Sequence, residues 1–232
     1  MPTSLRLRQL WNKHSDNRHY ALQSTAQSAT VWLYDVIGAD AWGGISAATF
    51  ARDLASLQAS TIHLRINSPG GDVFDARAIA TALREHPAHI IAHIDGLAAS
   101  AASYVALAAD EVSMSDGAFL MIHNAWGVVI GNRHDLLEMA LTLEKIDKSI
   151  VQDYEHRTGQ PTRVLQDWMD KETWFTAHEA LDAGFIDRID PTESSSDPPP
   201  PEPLATARTD SLCPALSHQD RTRRLSVIER TA

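Results

Sequence analysis

Between Thr61 and Ile94 the chain spells out strand, turn, helix and strand with almost no linking residues. TIHLRI puts Ile62, Leu64 and Ile66 on one face, the period-two pattern of a half-buried strand. SPGGD follows, and then Val73, Ala76, Ile79, Ala80 and Leu83 recur at helical spacing until Pro87 ends the run. HIIAHI (His89–Ile94) reads as a second strand. Two strands joined by a helix pair in parallel through a right-handed crossover, so this segment alone commits the chain to an α/β architecture.

The same alternation extends both ways. TVWLYDVI (Thr30–Ile37) is strand-like, and Ser46 caps a helix carrying Phe50, Leu54 and Leu57. A small-residue helix is expected from Ser100 to Ala108, then short strands at Glu111–Met114 and Ala118–His123. Leu136, Met139, Leu143, Ile146, Ile150 and Tyr154 form one stripe of a long helix, Asn132 to Arg157, stopped by Gly159 and Pro161. Thr176 and Glu179 make a capping-box pair, Gly184 suits the left-handed position after that helix, and FIDRI is a last strand. Composition shifts after Asp190, where seven of the eleven prolines lie. Residues 1–28 are therefore read as a flexible N-terminal segment, 29–190 as the packed domain, and 191–232 as a disordered tail with at most a weak helix at Arg221–Glu229.

Charge and cysteine content narrow the function. Twenty basic against thirty acidic residues give a formal charge of −10 at pH 7, which argues against nucleic acid as a partner. The single cysteine, Cys213, permits neither an intrachain disulfide nor a CxxC metal site, and fits a reducing cytoplasmic compartment. No run of 18 apolar residues or signal-type leader is seen, so neither membrane insertion nor secretion is expected. HExxH, GxSxG and GxGxxG are absent, which removes the zincin, α/β-hydrolase and Rossmann readings.

Four groups of residues remain that could carry chemistry. Gly70 and Gly71 lie between a strand and a helix, where uncovered backbone N–H groups can hold an anion or a developing oxyanion. Ser100 stands at another strand-to-helix junction among glycine and alanines, open to a substrate carbonyl; read alone it is a helix cap. His123, among eleven histidines, ends an apolar strand where side chains enter clefts. His63, His89 and His93 read as strand-surface residues. Asp167, Asp170 and Glu172 supply carboxylates that could orient an imidazole, although each taken singly reads as a solvated surface group.

INSPGGDV, GLAASAAS, MIHNAWG, the long helix ending in RTGQ, and ETWFTAHEALDAGFID together resemble the ClpP peptidase family over residues 30–189. VWLYDVIG, AWGGISAATFARDL and the C-terminal extension resemble its phage head-maturation (prohead) branch. The resemblance implies a crotonase-like stack of ββα units with a protruding helical handle. It implies Ser100 as nucleophile, His123 as general base and Glu172 as third triad member, where the family usually has Asp, with Asp170 in reserve. Gly71 and Ala101 match the backbone oxyanion donors. No metal or other cofactor is implied. Self-association as one ring or two stacked rings follows, as does ATP-independent cleavage of scaffold or coat extensions, with scaffold, coat and portal proteins as substrates or neighbours in the host cytoplasm. The alternatives are a housekeeping peptidase served by an ATP-dependent unfoldase, a crotonase-fold acyl-thioester enzyme, and an inactive capsid-assembly component.

Overall fold

The computed structural model describes residues 19–25, 27–38 and 44–191. The expectations for residues 1–18 and for the tail from 192 onward, with Cys213 and Arg221–Glu229, lie outside them. The first strand, β1 (His19–Ser24), runs antiparallel to β2 (Ser28–Tyr34). The packed sheet therefore begins ten residues before the boundary read from composition. HYALQS is too short and mixed to declare itself, and it becomes a strand because β2 offers it an edge.

From β2 the main sheet proceeds in parallel through β3 (Thr61–Ser68), β4 (His89–Ala99), β5 (Glu111–Ser115) and β8 (Arg188–Asp190). The crossovers are α1 (Ala47–Ala55), with the Ser46 hydroxyl accepting from the Thr49 N–H, and α2 (Val73–Glu85), capped by Asp72. Ile62, Leu64, Ile66, Ile90, Ala92, Ile94, Val112 and Met114 are fully or almost fully buried, in the core the helices cover. The residues alternating with them on β3, β4 and β5 point the other way and, Ile91 apart, form a polar ladder. The Tyr34 hydroxyl donates to Asp95 at 2.5 Å, and Arg65 makes two contacts to Asp95 at 3.0 and 2.6 Å. The rings of His63 and His93 meet at 3.0 Å, and His93 touches Ser113 at 2.8 Å. His89 contacts Glu111 at 3.0 Å. These histidines are strand-surface residues, as their spacing implied.

β4 is longer than its apolar run. Ile66 pairs with Ile94 but Ser68 with Ala98, so β4 accommodates two extra residues over the Asp95-Gly96-Leu97 stretch. A Cβ on Gly96 would sit 2.9 Å from the Asn67 side chain, so a larger residue would crowd this irregular crossing. Past it, β4 leaves β5 and pairs in parallel with β6 (Phe119–Ile122), which pairs antiparallel with β7 (Thr173–Thr176). This small β4–β6–β7 layer carries the candidate site.

α3 (Ala101–Ala106) follows β4 directly and is shorter than expected. α4 (Arg133–Thr158) starts from an Asn132/Asp135 capping box and ends at left-handed Gly159. Its 26 residues make it about 39 Å long. Only Ile150, Val151 and Tyr154 of it are buried, while Leu136, Leu137 and Leu141 are about half exposed. α5 (Thr162–Asp170) was not expected from sequence; it buries Leu165 and Met169 and leaves its carboxylates in solvent. α6 (Ala177–Asp182) begins at the anticipated Thr176/Glu179 box. Among the described residues no helix is long and apolar enough to cross a membrane.

Candidate active site

The β4–β6–β7 register converges three side chains on one edge. Ala99 of β4 pairs with Met121 of β6, and Ile122 pairs with Thr173 of β7. The next residue along β4 is Ser100, the next along β6 is His123, and the residue before Thr173 is Glu172. His123 Nε2 lies 2.7 Å from Ser100 Oγ. On the other side of the ring, Nδ1 lies 3.6 Å from Glu172 Oε2, a charge contact slightly longer than a formed hydrogen bond. With Ser100 donating to Nε2, the imidazole proton is on Nδ1, facing the carboxylate.

Ser100 does not cap α3 with its side chain. Its backbone sits at φ 55° and ψ −124°, which L-residues rarely hold. The Ser100 N–H donates to Met121 O at 2.8 Å, so β6 holds the turn from below. Among the described residues Glu172 is the other non-glycine residue at positive φ, 51°, just past α5, and its N–H donates to Met169 O at 3.1 Å. Residues at such positions are commonly Gly or Asn. The left-handed turn carries the carboxylate toward His123, and strain of this kind gathers at functional sites.

Burial sets the electrostatics. The His123 side chain is 9% exposed and that of Glu172 26%. Loss of solvation pulls the His123 pKa below 6.5, and the Glu172 charge partly offsets this. The ring is thus neutral at neutral pH and able to accept a proton.

The SPGG loop lies against the serine turn. A Cβ on Gly70 would stand 2.5 Å from Ala99 O and 2.9 Å from Ser100 Cβ, and one on Gly71 1.9 Å from Ile37 O. Only glycine allows this double approach. Gly71, Ser100, Ala101 and His123 line a cleft of about 570 Å³ together with the apolar side chains of Phe74, Trp126, Met139, Leu143 and Ile146. The stripe of α4 therefore divides: its middle faces the cleft and its beginning faces solvent.

The other carboxylates point elsewhere. Asp170 accepts from Asn124 Nδ2 at 2.7 Å and Asp167 pairs with Lys171 at 2.6 Å. Sequence reasoning missed Asp147, which accepts the Ala125 N–H at 2.6 Å and fixes the chain after His123. It also took Tyr154 as apolar, whereas its hydroxyl meets Ser103 beneath the serine turn. No local pattern marks either residue, since each depends on two segments meeting.

The model of the Clp protease family matches residues 17–193. This chain belongs to the Clp protease family. It is 33% identical over 130 residues to the ATP-dependent Clp protease proteolytic subunit 1 of Mycobacterium tuberculosis, covering 55% of this chain and 65% of that protein. It is 34% identical over 128 residues to the subunit of the same name from Chlamydia caviae, covering 53% and 67%. The chain thus spans just under two thirds of the mycobacterial Clp subunit's length. A ClpP1 point mutant from Listeria monocytogenes superposes with a TM-score of 0.62 at 22% identity, over 79% of this chain and 97% of that one. The Clp fold, with its crotonase-like α/β core, is therefore shared, and the family read from the motifs is borne out.

Proposed function

We propose that this Clp-family chain is a serine endopeptidase that works through Ser100, His123 and Glu172. The 2.7 Å contact between Ser100 Oγ and His123 Nε2 carries the reading. Ser100 Oγ attacks a peptide carbonyl carbon while its proton passes to Nε2. The new negative charge on the carbonyl oxygen is met by the N–H groups of Gly71 and Ala101, beside Ser100 in the cleft. The imidazolium, held by Glu172, then protonates the leaving amine, and the C–N bond breaks to leave an acyl-enzyme. Water repeats the sequence, giving its proton to His123 and releasing the acid. The chemistry calls on no metal or nucleotide. A fluorophosphonate should label Ser100 in the intact chain and abolish peptide hydrolysis. Failure to label would instead favour an acyl-thioester enzyme or an inactive assembly component.

For substrates, we propose scaffold or coat extensions of a phage prohead, cleaved without ATP, in the host cytoplasm. VWLYDVIG, AWGGISAATFARDL and the proline-rich extension support this assignment. Half-exposed Leu136, Leu137 and Leu141 on α4 support self-association into rings, because so much apolar surface on a protruding helix calls for a cover. The names of the mycobacterial and chlamydial relatives favour a second reading, a proteolytic subunit fed by an ATP-dependent unfoldase. Incubation with scaffold and coat proteins decides between them. Processing without nucleotide supports the prohead role, and processing only with an unfoldase and ATP supports the other.

A further inference from the structure

Beneath the serine turn, where Tyr154 reaches the inner end of the cleft lining, lies a buried hydroxyl chain that the proposed mechanism does not use. The Ser100 carbonyl accepts from the Ser103 N–H at 3.0 Å and from Ser103 Oγ at 2.6 Å. Ser103 Oγ lies 2.8 Å from the Tyr154 hydroxyl. Ser103 is fully buried and Tyr154 nearly so. We propose that Ser103 and Tyr154 are positioning residues that aim the Ala101 N–H into the cleft by holding the Ser100 carbonyl from behind; this rests on the peptidase reading above.

Proton counting sets the direction of the chain. A carbonyl can only accept, so the single Ser103 hydroxyl proton is committed to Ser100. Tyr154 must therefore donate to Ser103. Burial pushes the Tyr154 phenol well above its ordinary value, so it is protonated and able to donate at neutral pH. The peptide unit between Ser100 and Ala101 is planar and trans, so its C=O and N–H point in opposite directions. Holding the oxygen on Ser103 therefore turns the Ala101 N–H the opposite way, away from the hydroxyl chain.

The tether has work to do here. Ser100 holds a backbone conformation it would not adopt freely, and the six residues of α3 are too few to impose it. The Tyr154 ring is already packed edge-on against Phe185, 5.6 Å between centroids at 80°. Packing alone needs the ring and not the oxygen. Tyr154→Phe removes that oxygen and little else.

Wild type, Tyr154→Phe, Ser103→Ala and the double variant should be compared on a chromogenic peptide and a peptidyl boronate, whose tetrahedral adduct uses the oxyanion donors. We expect kcat to fall about 10-fold in each single variant, with KM within about twofold of wild type. Boronate affinity should fall by the same factor as kcat, and the double variant should be no worse than Ser103→Ala, because the hydroxyls act in series. A purely structural role would lower the thermal midpoint while leaving kcat per folded site and boronate affinity untouched, and that result overturns the proposal. An active, fluorophosphonate-labelled wild type with equally active variants sinks this inference alone. A wild type that neither labels nor hydrolyses peptide sinks the peptidase reading and this one with it.

Discussion

Replacing Glu172 by Gln tests the weakest geometric link of the proposed triad. Two unit charges 3.6 Å apart attract by about 4–5 kcal/mol at an effective dielectric of about 20. Glu172 is about a quarter exposed, so water screens part of this, and about 3 kcal/mol is a fair share for holding the imidazolium. Glu172→Gln should therefore lower kcat roughly 10²-fold, since the amide keeps the shape and removes the charge. Asp170→Asn should stay within about threefold of wild type, because Asp170 accepts from Asn124 and not from His123. Steady-state hydrolysis of a chromogenic peptide, with active sites counted by fluorophosphonate titration, measures both. A Gln variant within threefold of wild type, or a larger loss in Asp170→Asn, would refute the placement of the acid.

Three further outcomes follow from the same geometry. Ser100→Gly should abolish hydrolysis yet be more stable than Ser100→Ala by about 1 kcal/mol, with a higher thermal midpoint, because glycine accepts φ 55° without strain; equal thermal midpoints would show that the turn is relaxed. The acid limb of kcat/KM should lie below pH 6.5, since burial lowers the His123 pKa and activity appears as the ring loses its proton; it should move lower still in Glu172→Gln, where the charge favouring the protonated ring is gone, and a shift upward would contradict this. Leu137→Asp or Leu141→Asp on the half-exposed face of α4 should give smaller species in sedimentation velocity, while Leu143→Asp, facing the cleft, should chiefly raise KM; the reverse pattern would mean that α4 presents its other side to a partner.

Much of this architecture is local and could be read as such. Ile62, Leu64 and Ile66 alternate, Ser46 and Thr176 cap, and Gly159 stops α4 because those effects act over one or two turns of chain. The family motifs likewise lie in short segments around Gly71, Ser100 and His123. What could not be read depends on neighbours distant in sequence. His19–Ser24 is a strand only because β2 lends it an edge, and Trp174 and Phe175 become β7 only because β6 lies beside them. Asp167, Asp170 and Glu172 are equivalent as sequence, within six residues of one another. The turn after α5 and the Ile122–Thr173 register send one carboxylate to His123 and leave the other two in salt or amide contacts. Residue type and period decide which segments become helices and strands, because hydrophobic pattern and backbone propensity are properties of the chain itself. Which hydroxyl, ring and carboxylate come within reach of one another is decided only when β4, β6 and β7 pair, because a hydrogen bond or close charge contact spans only about 3–4 Å and that distance is set by the fold.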